Sequence, residues 1–418
     1  MTRDPGGEGR LAQPRLQMAL RTLVQVLLIQ NLATSRSLAQ MAECPPSEII
    51  PGCPCYNFED GLFLECAGAT EETLRTTLQG VLIAGGAGTM VQSLSVYELD
   101  KSIEELKENC FPAGSQIRHL QISHSSLREI SESAFANLKE SLESLALVSS
   151  RLSHVPQKSL AVLKKLAALD LEANLIQDLT SYCFYGLKLM KLTLKGNQIL
   201  RISEYAFAGL EDSLSDLDLS ENKLKLFPVA PLRRLESLAS LRLAWNEISE
   251  LPDDGYSLLS SLLILDLSSN NFEKLAEDCF RPCPILHTLS LYYNSIETIH
   301  KNAFVSLKDL ESIDLSHNKI VFLDVATFKG NERLRTIELS HNHIHYIGGV
   351  FARLPELREL YLAENNILEI PGDAFIWSVS LTVVYLQQNA IRRIDGKGLT
   401  SLTQLAQLHL SNNYIEKV

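Results

Sequence analysis

From about residue 91 onward the apolar positions fall into one recurring frame, apolar-x-x-apolar-x-apolar-x-x-Asn-x-apolar, filled mostly by Leu and Ile. "LESIDLSHNKI" (310–320) and "LRELYLAENNI" (357–367) are two clean copies. The Asn anchor stands at Asn174, Asn197, Asn222, Asn246, Asn270, Asn294, Asn318, Asn342, Asn365, Asn389 and Asn413, at steps of 23 to 25 residues. Earlier segments, "IRHLQISHSSL" and "LESLALVSSRL", keep the frame but carry Ser125 and Ser150 at the Asn position, and "VQSLSVYELDKSI" is a looser first copy. About fourteen repeats of ~24 residues therefore span 91–418.

Alternation within "LYL" or "LDL" predicts a short strand with inward Leu side chains, and strands stacked at ~4.8 Å build one parallel sheet. An Asn amide both donates and accepts, so the anchor is expected to satisfy backbone groups stranded in the turn; Ser does part of that work. Phe recurs at 111, 135, 184, 207, 280, 304, 328, 351 and 375, which predicts a second apolar column under the outer side of each coil. No single unit can bury its apolar face alone, so stability must come from neighbouring coils and the ends need covers.

The frame is the signature of leucine-rich repeats, and the chain resembles an extracellular leucine-rich-repeat protein over essentially all of 40–418. The resemblance implies an α/β solenoid, a horseshoe with a parallel β-sheet on its concave face and a disulfide-bonded N-terminal cap. The motif is specific for fold and weak for function.

Residues 1–39 read differently. Arg15 and Arg21 precede the apolar run "LVQVLLIQNLA", and small residues end at Ala39, the layout of a signal peptide. Removing 1–39 takes away five Arg and two acids, moving the formal charge from -12 to near -15. An acidic chain without a Lys/Arg cluster argues against nucleic acid as partner. No later apolar run approaches the ~20 residues of a membrane span, so membrane attachment would need a segment absent from this chain.

Eight Cys form two groups. Cys44, Cys53, Cys55 and Cys66 lie between leader and first repeat, and four Cys allow three connectivities. Cys53 and Cys55, two apart, are poorly placed to bridge each other, so each should pair with a flanking Cys. The stretch 40–90 resembles the cysteine-rich N-terminal cap of extracellular leucine-rich repeats, which implies Cys44 with Cys55 and Cys53 with Cys66; a zinc site there would require a reducing compartment. The other four occupy core positions of the frame. Cys110, Cys183 and Cys279 precede a recurring Phe, where Ala stands elsewhere, and Cys283 takes a Leu position. A local Cys279–Cys283 bridge and buried free thiols are both open readings.

Chemistry is sparse. The run "HNHIH" (341–345) places three histidines in H-x-H-x-H, yet His343 and His345 replace Lys319 and Val321 of the preceding repeat and straddle a turn, so a solvated rim is favoured over a metal site. Asp170, Asp218, Asp266 and Asp314 recur at one frame position and form an acidic column on the inner face rather than acid/base pairs. No phosphate loop, nucleophile elbow or zinc-protease motif occurs, and neither an enzymatic activity nor a cofactor is expected. No N-x-S/T sequon is present.

The inner face is the candidate partner-binding site, since solenoids bind along it. Its C-terminal half carries Tyr292, Tyr361, Tyr385 and His409, with Trp245, Tyr293, His317 and His341 beside the strands; aromatics favour interface cores. The chain ends on a frame position with no C-terminal cysteine-rich cap, the expectation for a fragment. Repeat number, N-cap and "F-x-x-L" outer side resemble arthropod matrix and adhesion proteins of the artichoke and chaoptin type. That resemblance implies a non-catalytic extracellular scaffold that contacts a protein or matrix component, self-association included. The ectodomain of a Toll-like or neuronal signalling receptor is the alternative, and an accessory subunit of a secreted enzyme complex a distant third.

Overall fold

A computed structural model describes residues 43–50, 52–86, 88–108, 110–252 and 259–418; the expected signal peptide lies outside the described residues. One 16-stranded sheet organises the chain, its strands lying in sequence order. Two strands come from the cap and the remaining fourteen, from Met90–Tyr97 to Gln407–His409, are parallel, one per repeat. Register follows the apolar frame. Leu217, Leu241, Leu265, Leu289, Ile313 and Ile337 stand opposite one another strand by strand, without a slip, and each is at most 1% exposed. Burying one such side chain contributes about 1.5–3 kcal/mol, so the column fixes register by its sum.

The anchors complete each coil. Asn318 Nδ2 donates to Leu315 O of its own turn at 3.0 Å and to Leu291 O of the preceding coil at 2.9 Å, while Oδ1 accepts from Ile296 N of that coil at 3.0 Å. The same three contacts recur at Asn222, Asn342 and Asn389. All the anchors are buried except the partly buried Asn413. Where Ser125 and Ser150 replace Asn, the two hydroxyls bond each other at 2.8 Å, a thinner link.

A feature not evident in the apolar pattern is the residue before each anchor. Ala173, Glu221, Trp245, Ser269, Tyr293, His317, His341, Glu364, Gln388 and Asn412 all have φ between 52° and 58°, and Gly196 has 68°. This left-handed turn costs non-glycine residues about 1–2 kcal/mol. None of these positions holds a β-branched residue, for which the geometry is worst. Gly196 is the sequence signal for it.

The opposite side of the coils is built from Phe rings and single turns. Phe280, Phe304, Phe328 and Phe351 stack with centroids 5.8 to 6.2 Å apart. The stack is interrupted in two described repeats, where "VPQKSL" and "FPVAPL" form one-turn helices, Gln157–Leu160 and Val229–Leu232, that insert Leu160 and Leu232 instead. Two-residue parallel ribbons such as Lys274–Leu275 with Thr298–Ile299 add further backbone pairing outside the main sheet.

The N-terminal cap closes the first coil. Strand β1 (Cys55–Phe58) pairs antiparallel with β2 (Gly61–Ala67), and β2 pairs parallel with β3 (Met90–Tyr97) through a register shift at Leu62/Phe63. Helix α1 (Glu71–Gly85), N-capped by Thr70, connects them and buries Leu74, Leu78 and Val81. Disulfides join Cys44 to Cys55 and Cys53 to Cys66. Cys110, Cys183, Cys279 and Cys283 are free, and burial pushes each thiol up to about 12. Of the two open readings for Cys279 and Cys283, the unbridged one is therefore observed.

Two predictions test this account. Asn318→Ala orphans Ile296 N and takes away one of the two asparagine donors at each of Leu291 O and Leu315 O, which keep Asn294 and Asn342; it is expected to lower unfolding free energy by about 1–3 kcal/mol, read from the urea midpoint. Ala173→Gly relieves left-handed strain partly offset by unfolded-state entropy, so it should raise stability by about 0.5 kcal/mol, whereas Ala173→Val should lower it by about 1 kcal/mol or more in the same assay.

Candidate functional site

In most coils the strand residues beside the buried Leu and the residue before the Asn are partly or fully exposed, while the residue after the second Leu is buried where it is small, as at Ser220, Ala244, Ser268, Ser316 and Ala363, and reaches solvent where it is larger, as at Glu172, Lys195 and Tyr292. In the N-terminal coils these positions carry charges that satisfy one another. Lys195 lies 3.6 Å from Glu172 and 3.2 Å from Glu221, and Arg242 Nη1 is 2.7 Å from Asp216 Oδ1. From Ile264 onward the same positions hold Asp266, Asp314, Glu338, Glu359 and Glu364 without a Lys or Arg among them.

The recurring carboxylates have a structural task. Asp170, Asp218, Asp266 and Asp314 each accept from the backbone N–H two residues on at 2.9 Å, and Glu338 does so at 2.8 Å, which pins the entry to the left-handed turn. Burial, reinforced by neighbouring Glu172 and Asp218, pushes the Asp170 carboxyl up to about 6. Burial likewise raises Glu338, with Asp314 adding repulsion.

The eight aromatic and histidine side chains fall into two ladders. Trp245, Tyr293, His317 and His341 occupy the left-handed position of their repeats. Trp245 and Tyr293 stack at 6.4 Å across an intervening repeat whose equivalent residue is the small Ser269; Tyr293 meets His317 at 6.3 Å, and His317 stacks on His341 at 4.0 Å. Tyr292 joins from the adjacent position, 5.1 Å edge-on to His317. The ladder ends on a polar contact, His341 Nδ1 to Glu364 Oε2 at 3.0 Å. His317 is held below the ordinary imidazole range by burial and by His341.

The second ladder sits between the strand apolar pairs. Tyr361, Tyr385 and His409 stack at 4.9 and 4.4 Å. Tyr361 Oη donates to Glu359 Oε2 at 2.9 Å, and burial together with that carboxylate pushes its phenol up to about 12. The strand spacing of ~4.8 Å brings rings at equivalent positions of adjacent coils into contact: His317 on His341 and the three rings of the second ladder stack face to face, while Tyr293 and His317 meet tilted by 42°. In the first ladder Trp245 and Tyr293 remain 60% and 56% exposed; in the second Tyr361 and Tyr385 are half-buried and His409 is exposed.

His343 and His345 point to solvent away from these ladders, and among the described residues no three His, Cys, Asp or Glu side chains are grouped as metal ligands. Among the described residues no helix is long and apolar enough to cross a membrane.

Comparison with known proteins follows the same frame. Residues 260–320, 310–367 and 355–415 match the family described as Leucine rich repeat, and residues 89–226 match the BspA type Leucine rich repeat region in six copies. Leucine-rich repeat-containing G-protein coupled receptor 5 of Rattus norvegicus is 32% identical over 165 residues, 34% of this chain and 18% of that protein. Leucine-rich repeats and immunoglobulin-like domains protein 1 of Homo sapiens is 31% identical over 101 residues, 24% of this chain and 9% of that protein. The chain thus spans less than a fifth of either relative. Among solved structures, a leucine-rich-repeat protein of Leptospira interrogans superposes with TM-score 0.66 at 25% identity, covering 85% of each chain. Toll, in its complex with Spatzle from Drosophila, superposes with TM-score 0.65 at 20% identity over 84% of this chain and 51% of that one. The mouse RP105/MD-1 complex gives 0.60 at 23% over 79% and 60%. The last two are likenesses of fold.

The buried Asp170 gives a pH prediction. Its folded value, about 6, lies above the ordinary 3.8, so the folded chain holds this proton more tightly. The favourable contribution is complete below 3.8 and is lost as pH rises through 6. Asp170→Asn, which keeps an oxygen for Glu172 N, should therefore be more stable than the parent at pH 7.5 by up to about 2 kcal/mol, the gain vanishing near pH 4. Urea unfolding at both pH values checks it.

Proposed function

This chain belongs to the leucine-rich-repeat proteins, and on that footing we propose that it is a non-catalytic scaffold, secreted or held at a cell surface, that binds another protein or a matrix component on its concave face. The observation that carries the proposal is the pair of ring ladders on repeats 7 to 14, against an N-terminal half whose inner face carries mutually paired charges such as Lys195 with Glu172 and Glu221. Stacked rings are preorganised by the sheet, so a partner meets a rigid surface and less side-chain ordering opposes association. Aromatic side chains desolvate cheaply for the contact area they offer, the property that concentrates binding energy in a few residues.

Two disulfides in the cap, together with the basic and apolar leader, support export to an oxidising compartment. Within that setting a role in adhesion or matrix organisation, as in the arthropod proteins the repeats resemble, is the first reading, homophilic contact included. A receptor ectodomain is the second. It is favoured by the names of the relatives, one a G-protein coupled receptor, and by the fold shared with Toll bound to Spatzle. Neither reading involves nucleic acid.

The test is a screen of the affinity-tagged secreted chain against extracellular proteins and matrix extracts, repeated with Tyr292→Ala/Tyr361→Ala, which removes one ring beside each ladder's centre. A specific partner whose affinity falls at least tenfold in the double variant, with an unchanged melting temperature, is the expected outcome. Unchanged affinity sinks the concave-face assignment.

A further inference from the structure

Beyond each turn anchor the chain leaves the sheet, and the residues one and three places after the Asn form exposed columns along that side of the coil. In the first column Asn366 and Tyr414 flank Ala390. Equivalent residues two coils apart are separated by about 10 Å, so the small Ala390 leaves a notch between them. The notch opens into a groove of about 610 Å³, further lined by His345, Leu368, Gln388 and Asn412. The groove is shallow and open to solvent along one side, as a site for a chain-like ligand would be.

Two properties define what fits. None of the lining residues is Asp, Glu, Lys or Arg, in a chain of which 21% is charged. The side chains of His345, Asn366, Gln388, Asn412 and Tyr414 also make no hydrogen bond within the described residues, although Asn365 and Asn389 beneath them are fully engaged in the turns. Five solvent-facing donor–acceptor groups are thus presented around an open groove, beside Leu368 and an aromatic ring that is 67% exposed.

We propose that this groove binds a neutral oligosaccharide. Sugar hydroxyls are donors and acceptors at once, and Asn and Gln amides present both functions in one plane, matching vicinal hydroxyl pairs. The C–H face of a pyranose needs an apolar platform, which the Tyr414 ring and Leu368 supply. A sulfated, sialylated or phosphorylated ligand would require a cation, and the lining has none. The site adjoins the column of left-handed positions through Gln388 and Asn412 but includes no ring of either ladder, and it goes beyond the concave-face reading.

The experiment presents the full secreted chain to an array of neutral oligosaccharides, oligomers of N-acetylglucosamine, galactose and mannose, beside sulfated and sialylated ones. Calorimetry then measures the best neutral ligand at 0.15 and 0.5 M NaCl. Binding should be insensitive to salt, and should weaken at least fivefold in Ala390→Leu, which fills the notch, and in Tyr414→Ala. Tyr292→Ala/Tyr361→Ala should leave it unchanged, which separates this site from the concave face. Should Ala390→Leu lower the melting temperature, the exposed Asn366→Ala decides by the same criterion. The proposal is overturned by an array without a neutral ligand, by binding confined to anionic glycans, or by affinity that survives in the folded groove variants.

Discussion

The bond from each backbone amide to the asparagine of the following coil is the constraint on which the remaining structure depends. Ile296 N to Asn318 and Ile320 N to Asn342 are successive steps of one ladder, and each asparagine returns its amide protons to carbonyls of both coils. The contact occurs where the chain turns out of the sheet, a buried place with no regular backbone partner. Leaving such groups unpaired costs about 1–3 kcal/mol each, so the coils must sit at the height and rotation that let every Asn reach its neighbour. Sheet register, the Phe column and ring spacing follow from that placement.

The same ladder explains where side-chain freedom remains. Leu and Asn are fixed by burial, the residue before Asn by its left-handed backbone, and the strand carboxylates by their bonds to turn amides. What varies without disturbing a coil are the outward strand positions and the left-handed side chain. Trp245, Tyr293, His317 and His341 all stand at that one strained position, so a backbone requirement of the fold becomes a row of projecting rings. Function in this architecture is written on positions the repeat leaves unconstrained, which is why the family fixes a scaffold and leaves the ligand open.

Equal spacing also makes neighbouring substitutions cooperative. A ring next to a ring stacks, as Tyr361, Tyr385 and His409 do, while a small residue between larger ones makes a gap, as Ala390 does between Asn366 and Tyr414. Charges behave likewise: Lys195 between Glu172 and Glu221 is neutralised by the coils on either side, whereas Asp314 beside Glu338 reinforces repulsion.

The sequence by itself determined the repeat, its period, the strand positions and the two apolar columns, because Leu, Asn and Phe recur at fixed steps and only one stacking buries them all. The aromatics of the C-terminal half were legible as residues at outward frame positions. Their division into two ladders was not, since it depends on Trp245, Tyr293, His317 and His341 lying at the left-handed turn and Tyr361, Tyr385 and His409 between the strand apolar pairs. Nor did the sequence expose the groove beside Ala390, which exists only because residues about 24 apart become neighbours across the coils. The unbridged state of Cys279 and Cys283, which the spacing left open, was likewise decided by the packing of one turn. A repeating sequence states what each coil contains, while contacts between coils, set by a spacing of ~4.8 Å, decide which side chains meet.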